Sequence, residues 1–172
     1  YSAAKFAVKG FTEALITDLR LNAPHVKCSV VMPGHIGTSI ALNTSQVHGK
    51  GGAMDMSSEE VAFMRSRYSE AGLPVDNLPD DDIRKMVLQV QEDFRDKAPT
   101  SASQAAKIIL DGVREERWRI LVGDDAYVLD EIVREAPEEA YEPSLGEKMR
   151  ERVATSSLSK EMKPKRNKRE LI

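Results

Sequence analysis

Tyr1 and Lys5, at the start of the chain, have side chains that could act together in proton transfer, with the phenol as the group that gives or takes the proton. On an α-helix, residues at positions i and i+4 lie on one face, so the Lys5 ammonium is expected near the Tyr1 phenol. A cation within about 4 to 6 Å favours the ionised phenol, which suits a proton donor and acceptor near neutral pH. A chance Tyr-x-x-x-Lys, with the lysine in water, is the alternative interpretation.

The segment that carries both residues has the periodicity of an amphipathic helix. Its apolar residues recur at steps of three and four and form one stripe: Ala4, Val8, Phe11, Leu15 and Leu19. The pattern predicts a helix to about Leu21 that lies against a core, because Pro24 disfavours continuation.

A short apolar strand is predicted after this helix. Residues 26–32 are rich in β-branched side chains and are bounded by Pro24 and by the Pro33-Gly34 pair. A helix, an apolar strand and a break are typical of a parallel sheet covered by helices. Ligands in such folds bind beyond the carboxyl ends of the strands, where PGHIGTS, residues 33–39, falls.

Two motifs in this order, YSAAK and VVMPGHIGT, resemble the second half of a short-chain dehydrogenase/reductase. That family is similar in having Tyr-x-x-x-Lys on one helix, then a strand ending in Pro-Gly, then a hydrophobic residue and a threonine. The resemblance covers roughly residues 1–137 and implies an α/β fold, the C-terminal part of a doubly wound, Rossmann-like parallel sheet with helices on both faces. It also implies an NAD- or NADP-dependent oxidoreductase that transfers a hydride between the nicotinamide cofactor and a carbonyl or alcohol substrate.

Carried over residue by residue, the resemblance assigns catalysis to Tyr1 and Lys5, and cofactor contacts to Tyr1, Lys5, Pro33, Gly34, Ile36 and Thr38. Tyr1 would act as general acid or base on the substrate oxygen, while Lys5 would hold the nicotinamide ribose and favour the ionised phenol. The Pro-Gly pair would shape the turn under the nicotinamide, and the Ile36 backbone and the Thr38 hydroxyl would reach its carboxamide. The structural alternatives are a simple strand end at the Pro-Gly pair and a helix cap at Thr38.

Several parts of the family's site precede its tyrosine: a glycine-rich phosphate loop, the residue that selects NAD or NADP, and an active-site serine and asparagine. The sequence opens on Tyr1. The chain is therefore expected to be part of a longer protein, to supply one edge of the nicotinamide site and to be inactive alone. The choice between NAD and NADP stays open.

Residues 39–98 are predicted to form a helical substrate lid. Residues 43–55 are polar and glycine-rich, and VHGKGG, residues 47–52, is predicted to be a mobile loop. Ser57 to Glu60 match a capping box that opens a helix to about Ala71. A second helix is expected after the acidic residues 80–82. Phe63, Met64, Met86 and Phe94 are candidate lining, which favours a bulky or hydrophobic substrate, with ordinary packing as the alternative.

The rest of the family domain is predicted as a helix over about 102–113, a strand over 118–122 and a helix opened by Asp124 and Asp125. The sequence ILVGDDA departs from the Asp-Gly-Gly turn of ketoacyl-reductase-like members, which puts that substrate class in doubt. Residues 138–172 are predicted to be a charged, largely disordered extension, with a weak helix near 145–153. Its basic residues between Lys160 and Glu170 are interpreted as a solvated tail, not a nucleic-acid site.

Composition fits a soluble α/β protein, with 41% hydrophobic residues, 31% charged residues and a net charge of -3. Neither a signal peptide nor an apolar run long enough to span a membrane is visible, and Cys28 is a single cysteine, which together predict a cytoplasmic protein. No metal site is predicted, because the histidines lack ligand spacing. The family's subunit packing suggests a homo-oligomer, with Phe6 and Gly10 of the first helix as a candidate contact.

Two other functions stay open. A nucleotide-sugar epimerase or dehydratase shares Tyr-x-x-x-Lys, although the Pro-Gly-x-Ile-x-Thr stretch and the short C-terminal part disfavour it. A truncated, non-catalytic binding or assembly module is the other alternative.

Overall fold

The computed structural model describes residues 1–161, with side chains described through residue 155. The chain divides into two compact units: residues 1–35 with the chain from residue 107 onward, and the continuous stretch 36–106. In chain order the elements are α1 (Ser2–Asn22), β1 (Val30–Pro33), β2 (Ile36–Gly37), α2 (Ile40–Val47), a 3-10 turn (Ala53–Asp55), α3 (Ser58–Glu70), α4 (Asp80–Asp96), β3 (Thr100–Ser101), α5 (Ala102–Arg114), β4 (Arg119–Val122), α6 (Asp124–Glu135), a 3-10 turn (Pro137–Tyr141) and α7 (Leu145–Glu161).

The first unit is built on one pair of parallel strands. β1 pairs with β4 in a register that sets Val30 opposite Arg119 and Pro33 opposite Val122. The parallel pairing confirms the predicted α/β class, although β1 begins four residues later than the apolar run from Val26 suggests. Among the described residues each sheet has two strands, so the doubly wound sheet stays a prediction.

The core of the first unit lies around β4. Ile120 and Val122 are fully buried, and Val30 of β1 is buried beside them. Gly112 of α5 lies against Ile120, and a Cβ at this glycine would come within 3.0 Å of the isoleucine side chain. The missing side chain therefore lets the helix approach the strand closely.

Helix α1 packs over its second half alone. Ile16 is buried and Leu15 and Leu19 are half-buried, whereas Val8 and Phe11 are exposed, Phe11 at 70%. The predicted burial of the whole stripe is therefore wrong for Ala4, Val8 and Phe11. A four-residue strand spans roughly 13 Å, while a 21-residue helix extends for roughly 31 Å, so β1 can cover only part of α1.

An ion-pair cluster joins the start of β4 to α6. Arg119 donates to Asp130 through both terminal nitrogens, one of them at 2.9 Å, and Arg134 Nε donates to the same carboxylate at 3.0 Å. The hydrogen bond from Arg119 holds the pKa of Asp130 below its ordinary value. Burial opposes this lowering, and the hydrogen bond from Arg134 adds to it.

This cluster predicts a specific acid sensitivity. Folding lowers the pKa of the Asp130 carboxyl. The ionised carboxylate therefore stabilises the fold at a pH above the pKa that Asp130 has in the unfolded chain, and this stabilisation is lost as the pH falls through the pKa that it has in the folded protein. Asp130→Asn should therefore reduce the fall in unfolding free energy that wild-type protein shows below about pH 4, measured by urea unfolding across pH. Asp76→Asn, on an exposed loop, is the control, and an unchanged acid slope for Asp130→Asn would contradict the prediction.

The described part of the C-terminal extension is helical. Helix α7 runs over Leu145–Glu161 and contacts α6, with Arg152 donating to Glu135 at 2.5 Å. The helix is thus longer than the predicted segment near 145–153. The basic tail from residue 162 on lies outside the described residues, and the predicted domain boundary near residue 137 stays a prediction.

The second unit has its own core between α3 and α4. Val61, Val75 and Ile83 form its buried centre, and the partly buried side chains around it are Met56, Met64, Tyr68, Leu78 and Met86. The predicted capping box of α3 is confirmed, since the Glu60 backbone N–H donates to Ser57 Oγ at 3.2 Å and the Ser57 N–H donates to Glu60 Oε2 at 3.0 Å.

Arg65 fixes the loop between α3 and α4. Its guanidinium donates to the carbonyl oxygens of Val75 and Leu78 at 2.9 and 2.6 Å and to Asp80 Oδ1 at 2.6 Å. The loop, which contains two prolines, is thereby tied at its middle and at its C-terminal end, which holds Val75 in the core.

In the polar stretch over residues 43–55, residues 48–52 lie outside helices and strands, as predicted for a loop over residues 47–52, whereas its mobility stays a prediction. Residues 40–47 form α2, in which Thr44 Oγ1 donates to the Ile40 carbonyl at 2.6 Å, and the chain leaves the helix through Gly49 at a φ of 71°. A 3-10 turn follows, where Asp55 Oδ2 accepts from the Gly52 backbone N–H at 2.9 Å. Local hydrogen bonds from side chains thus accompany short helical turns in a polar stretch whose composition favours a loop.

Candidate functional site

Tyr1 and Lys5 lie on the first turn of α1. Tyr1 occupies the N-cap position, its carbonyl accepts from the Lys5 backbone N–H at 3.1 Å, and the Lys5 Nζ stands 5.2 Å from the centre of the Tyr1 ring. Tyr1 is 95% exposed. The structure therefore brings the two side chains together in an accessible position, and their catalytic role stays a prediction.

The Pro-Gly turn lies at the carboxyl end of β1. Pro33 is the last residue of the strand and is exposed, and the Gly34 backbone N–H donates to the Val122 carbonyl at 2.9 Å. The next N–H, that of His35, donates to Asp125 Oδ2 at 2.5 Å. The turn is therefore held by two consecutive hydrogen bonds, one to the end of β4 and one to the first turn of α6.

Asp125 is the residue of this site that sequence reasoning missed, since Asp124 and Asp125 were interpreted only as the opening of a helix. Its side chain is buried, with 8% exposed, and its Oδ1 has no hydrogen-bond partner in the described part of the chain. The chain reaches this position through Gly123, whose φ of 99° lies in the region that favours glycine. A sequence signal did exist, because the carboxyl ends of paired parallel strands meet at one edge of a sheet.

Ile36 and Thr38, the predicted carboxamide contacts, belong to the second unit. Ile36 and Gly37 form β2, which pairs in parallel with Thr100 and Ser101 of β3. Ile36 and Thr38 are both half-buried, and the N-cap position of α2 is Ser39. Their contact with a cofactor stays a prediction.

The four candidate lining residues of the lid separate in the structure. Phe63 and Met64 line a groove of about 430 Å³ on the second unit, whereas Met86 packs against the buried centre of that unit and Phe94 is 37% exposed. Met86 does not line this groove, and a role of the four side chains in substrate binding stays a prediction. At the edge of the groove, the hydrogen bond from Lys50 at 2.7 Å lowers the pKa of Glu60.

Other parts of the described chain bear on the type of site. Across residues 1–161 no three histidine, cysteine, aspartate or glutamate side chains cluster in a way that would hold a metal ion. No helix in the same range combines the length and the apolar character that crossing a membrane requires. The first-helix residues Phe6 and Gly10 are exposed, and the oligomer contact assigned to them stays a prediction.

Comparison with known proteins gives one likeness. No protein-family model and no solved structure matches the chain. Over 134 residues, 78% of its length, the chain is 29% identical to "Putative oxidoreductase SadH" of Mycobacterium tuberculosis, in strain CDC 1551 / Oshkosh and in strain ATCC 25618 / H37Rv. The match covers 36% of each relative, so the chain spans about a third of the length of the curated relatives it matches.

Proposed function

We propose that this chain supplies one edge of the nicotinamide site of an NAD- or NADP-dependent oxidoreductase of the short-chain dehydrogenase/reductase type. The observation that carries the proposal is the pairing of Tyr1 and Lys5 on one exposed helical turn, with the Lys5 Nζ 5.2 Å from the Tyr1 ring. The parallel pairing of β1 with β4 and the hydrogen-bonded Pro-Gly turn at their carboxyl ends are the further features such a site needs. The likeness to a relative named as an oxidoreductase supports the same class.

The donors fit a nicotinamide nucleoside. The Lys5 ammonium offers three N–H donors for ribose hydroxyls, and the Tyr1 phenol offers an O–H that can also accept. Gly34 presents bare backbone at the turn, where the nicotinamide ring would lie. When bound, the cofactor supplies or accepts the hydride.

In this proposal each candidate site residue has one role. Tyr1 donates a proton to the carbonyl oxygen during reduction and takes it back during alcohol oxidation. Lys5 orients the ribose, while Pro33 and Gly34 set the depth of the ring and Ile36 and Thr38 hold its carboxamide. The substrate is a small-molecule carbonyl or alcohol compound, and the exposed Phe63 and the half-buried Met64, which line one groove of the second unit, favour a bulky or hydrophobic one.

The test uses the native protein that carries these 172 residues. We expect it to bind NADH or NADPH, detected by cofactor fluorescence, and to consume the cofactor in the presence of ketones or aldehydes. Turnover of nucleotide sugars without ketone reduction would favour the epimerase or dehydratase alternative. A folded native protein that binds neither cofactor would replace the proposal with the non-catalytic module.

A further inference from the structure

We propose that Asp125 is a positioning residue whose buried carboxylate holds the Gly34–His35 peptide at the carboxyl end of β1. We infer further that residue 34 is glycine because this carboxylate fills the space that a Cβ would need. The consequence for cofactor binding rests on the proposed function, whereas the contact itself does not.

The hydrogen bond gives the direction of the effect. Asp125 Oδ2 accepts from the His35 backbone N–H at 2.5 Å, and the preceding N–H, that of Gly34, is already bonded to the Val122 carbonyl. The bond is partly buried, so an N–H that loses this acceptor is only incompletely compensated by water, which costs free energy. Removal of the carboxylate therefore frees the turn to move.

The space around Gly34 gives independent evidence. A Cβ built on Gly34 would lie within 3.0 Å of the Asp125 Cγ and both carboxylate oxygens, a separation that real Cβ atoms essentially never show. L residues are strained in the left-handed region of φ. Gly123, with a φ of 99°, lies in that region, whereas Gly34 lies outside it. Space, not backbone torsion, therefore excludes a larger residue at position 34.

The burial of the carboxylate indicates that its position matters. Asp125 is 8% exposed and its Oδ1 has no hydrogen-bond partner in the described residues, an arrangement that costs free energy. The N-terminal turn of α6 offsets part of this cost, because the helix dipole favours a negative charge there.

A double-mutant cycle on the full chain tests the contact. We expect Gly34→Ala to destabilise the fold, and Asp125→Ala to restore part of that loss, because it removes all three atoms that the new Cβ would meet. The coupling should amount to about tenfold or more in the folded-to-unfolded ratio, measured by urea unfolding. Gly146→Ala is the matched control, since the nearest atom to a Cβ at Gly146 is 4.0 Å away.

Each outcome of the cycle decides the contact. Additive effects of Gly34→Ala and Asp125→Ala would overturn it. If Gly34→Ala does not fold, recovery of folded protein in the double variant supports the contact, and a double variant that also fails to fold overturns it.

Binding to the native protein tests the positioning role. Asp125→Ala should weaken NADH or NADPH binding about tenfold or more while leaving binding of the matching ADP-ribose compound, which lacks the nicotinamide, near the wild-type value. Asp125→Asn keeps an acceptor oxygen and the size of the side chain, and should restore most of the affinity. If Asp125→Ala weakens the binding of both ligands equally, Asp125 has only a structural role, and the positioning role is overturned. If the wild-type native protein binds neither ligand, the proposed function fails, and the unfolding cycle still decides the contact.

Discussion

Tyr1→Phe in the native protein should lower kcat by about a hundred- to ten-thousand-fold, while the dissociation constant for NADH or NADPH stays close to the wild-type value. The phenylalanine keeps the ring beside the Lys5 ammonium and removes the one oxygen that can exchange a proton with the substrate. Steady-state kinetics together with cofactor fluorescence measure the two effects separately.

The matched control is Tyr141→Phe, because Tyr141 is another exposed tyrosine of the chain, at 79% exposure. We expect that variant to retain wild-type kcat. Near-normal turnover in Tyr1→Phe would remove the catalytic assignment, and a large loss of cofactor affinity would indicate that Tyr1 serves binding instead of proton transfer.

Ile83→Ala should lower the free energy of unfolding of the second unit by about 2–5 kcal/mol. Ile83 is fully buried against Val61 and Val75, so truncation removes apolar contacts and leaves a cavity that the fixed loop between α3 and α4 cannot close easily. Native-state hydrogen exchange of the amides of α3 and α4 measures the free energy of unfolding of this unit by itself.

Ile40→Ala is the control for this substitution, since Ile40 of α2 is 63% exposed and loses the same atoms from a site that water already reaches. Its effect should be within about 0.5 kcal/mol. Equal losses for the two variants would show that the centre around Ile83 does not hold the second unit together.

Local patterns predicted much of the fold. The capping box at Ser57, the acidic first turn of α4 and the β-branched strands before Pro33 and around Ile120 all depend on residues close in sequence. Such signals depend on residues within one or two helical turns of each other, so they can be recognised in the sequence without knowing which distant residues the element packs against.

The errors come from contacts that sequence periodicity does not contain. Periodicity shows that α1 has an apolar stripe, but only the short length of β1 shows that Val8 and Phe11 receive no cover from it. In the same way, periodicity does not show that Met64 and Met86 both pack against the centre formed by Val61, Val75 and Ile83.

The sequence predicts the part of the candidate site whose residues are close together in the chain, but not the part whose residues are far apart in it. Tyr1 and Lys5 are neighbours on one helix, so their spacing alone places them together. Asp125 lies ninety residues beyond His35 in the chain, and only the pairing of β1 with β4 brings it to the turn.

The split of the first unit around a continuous second unit has a consequence for synthesis on the ribosome. Residues 36–106 fold through contacts made within one stretch of chain, so that unit can form as soon as it emerges. Val30 can pair with Arg119 only after the intervening residues have been synthesised. At a synthesis rate of about 5–20 residues per second, this takes about 4 to 18 seconds. During this interval β1 lacks β4, the strand that pairs with it in the folded chain, and its unpaired backbone groups are available to another polypeptide.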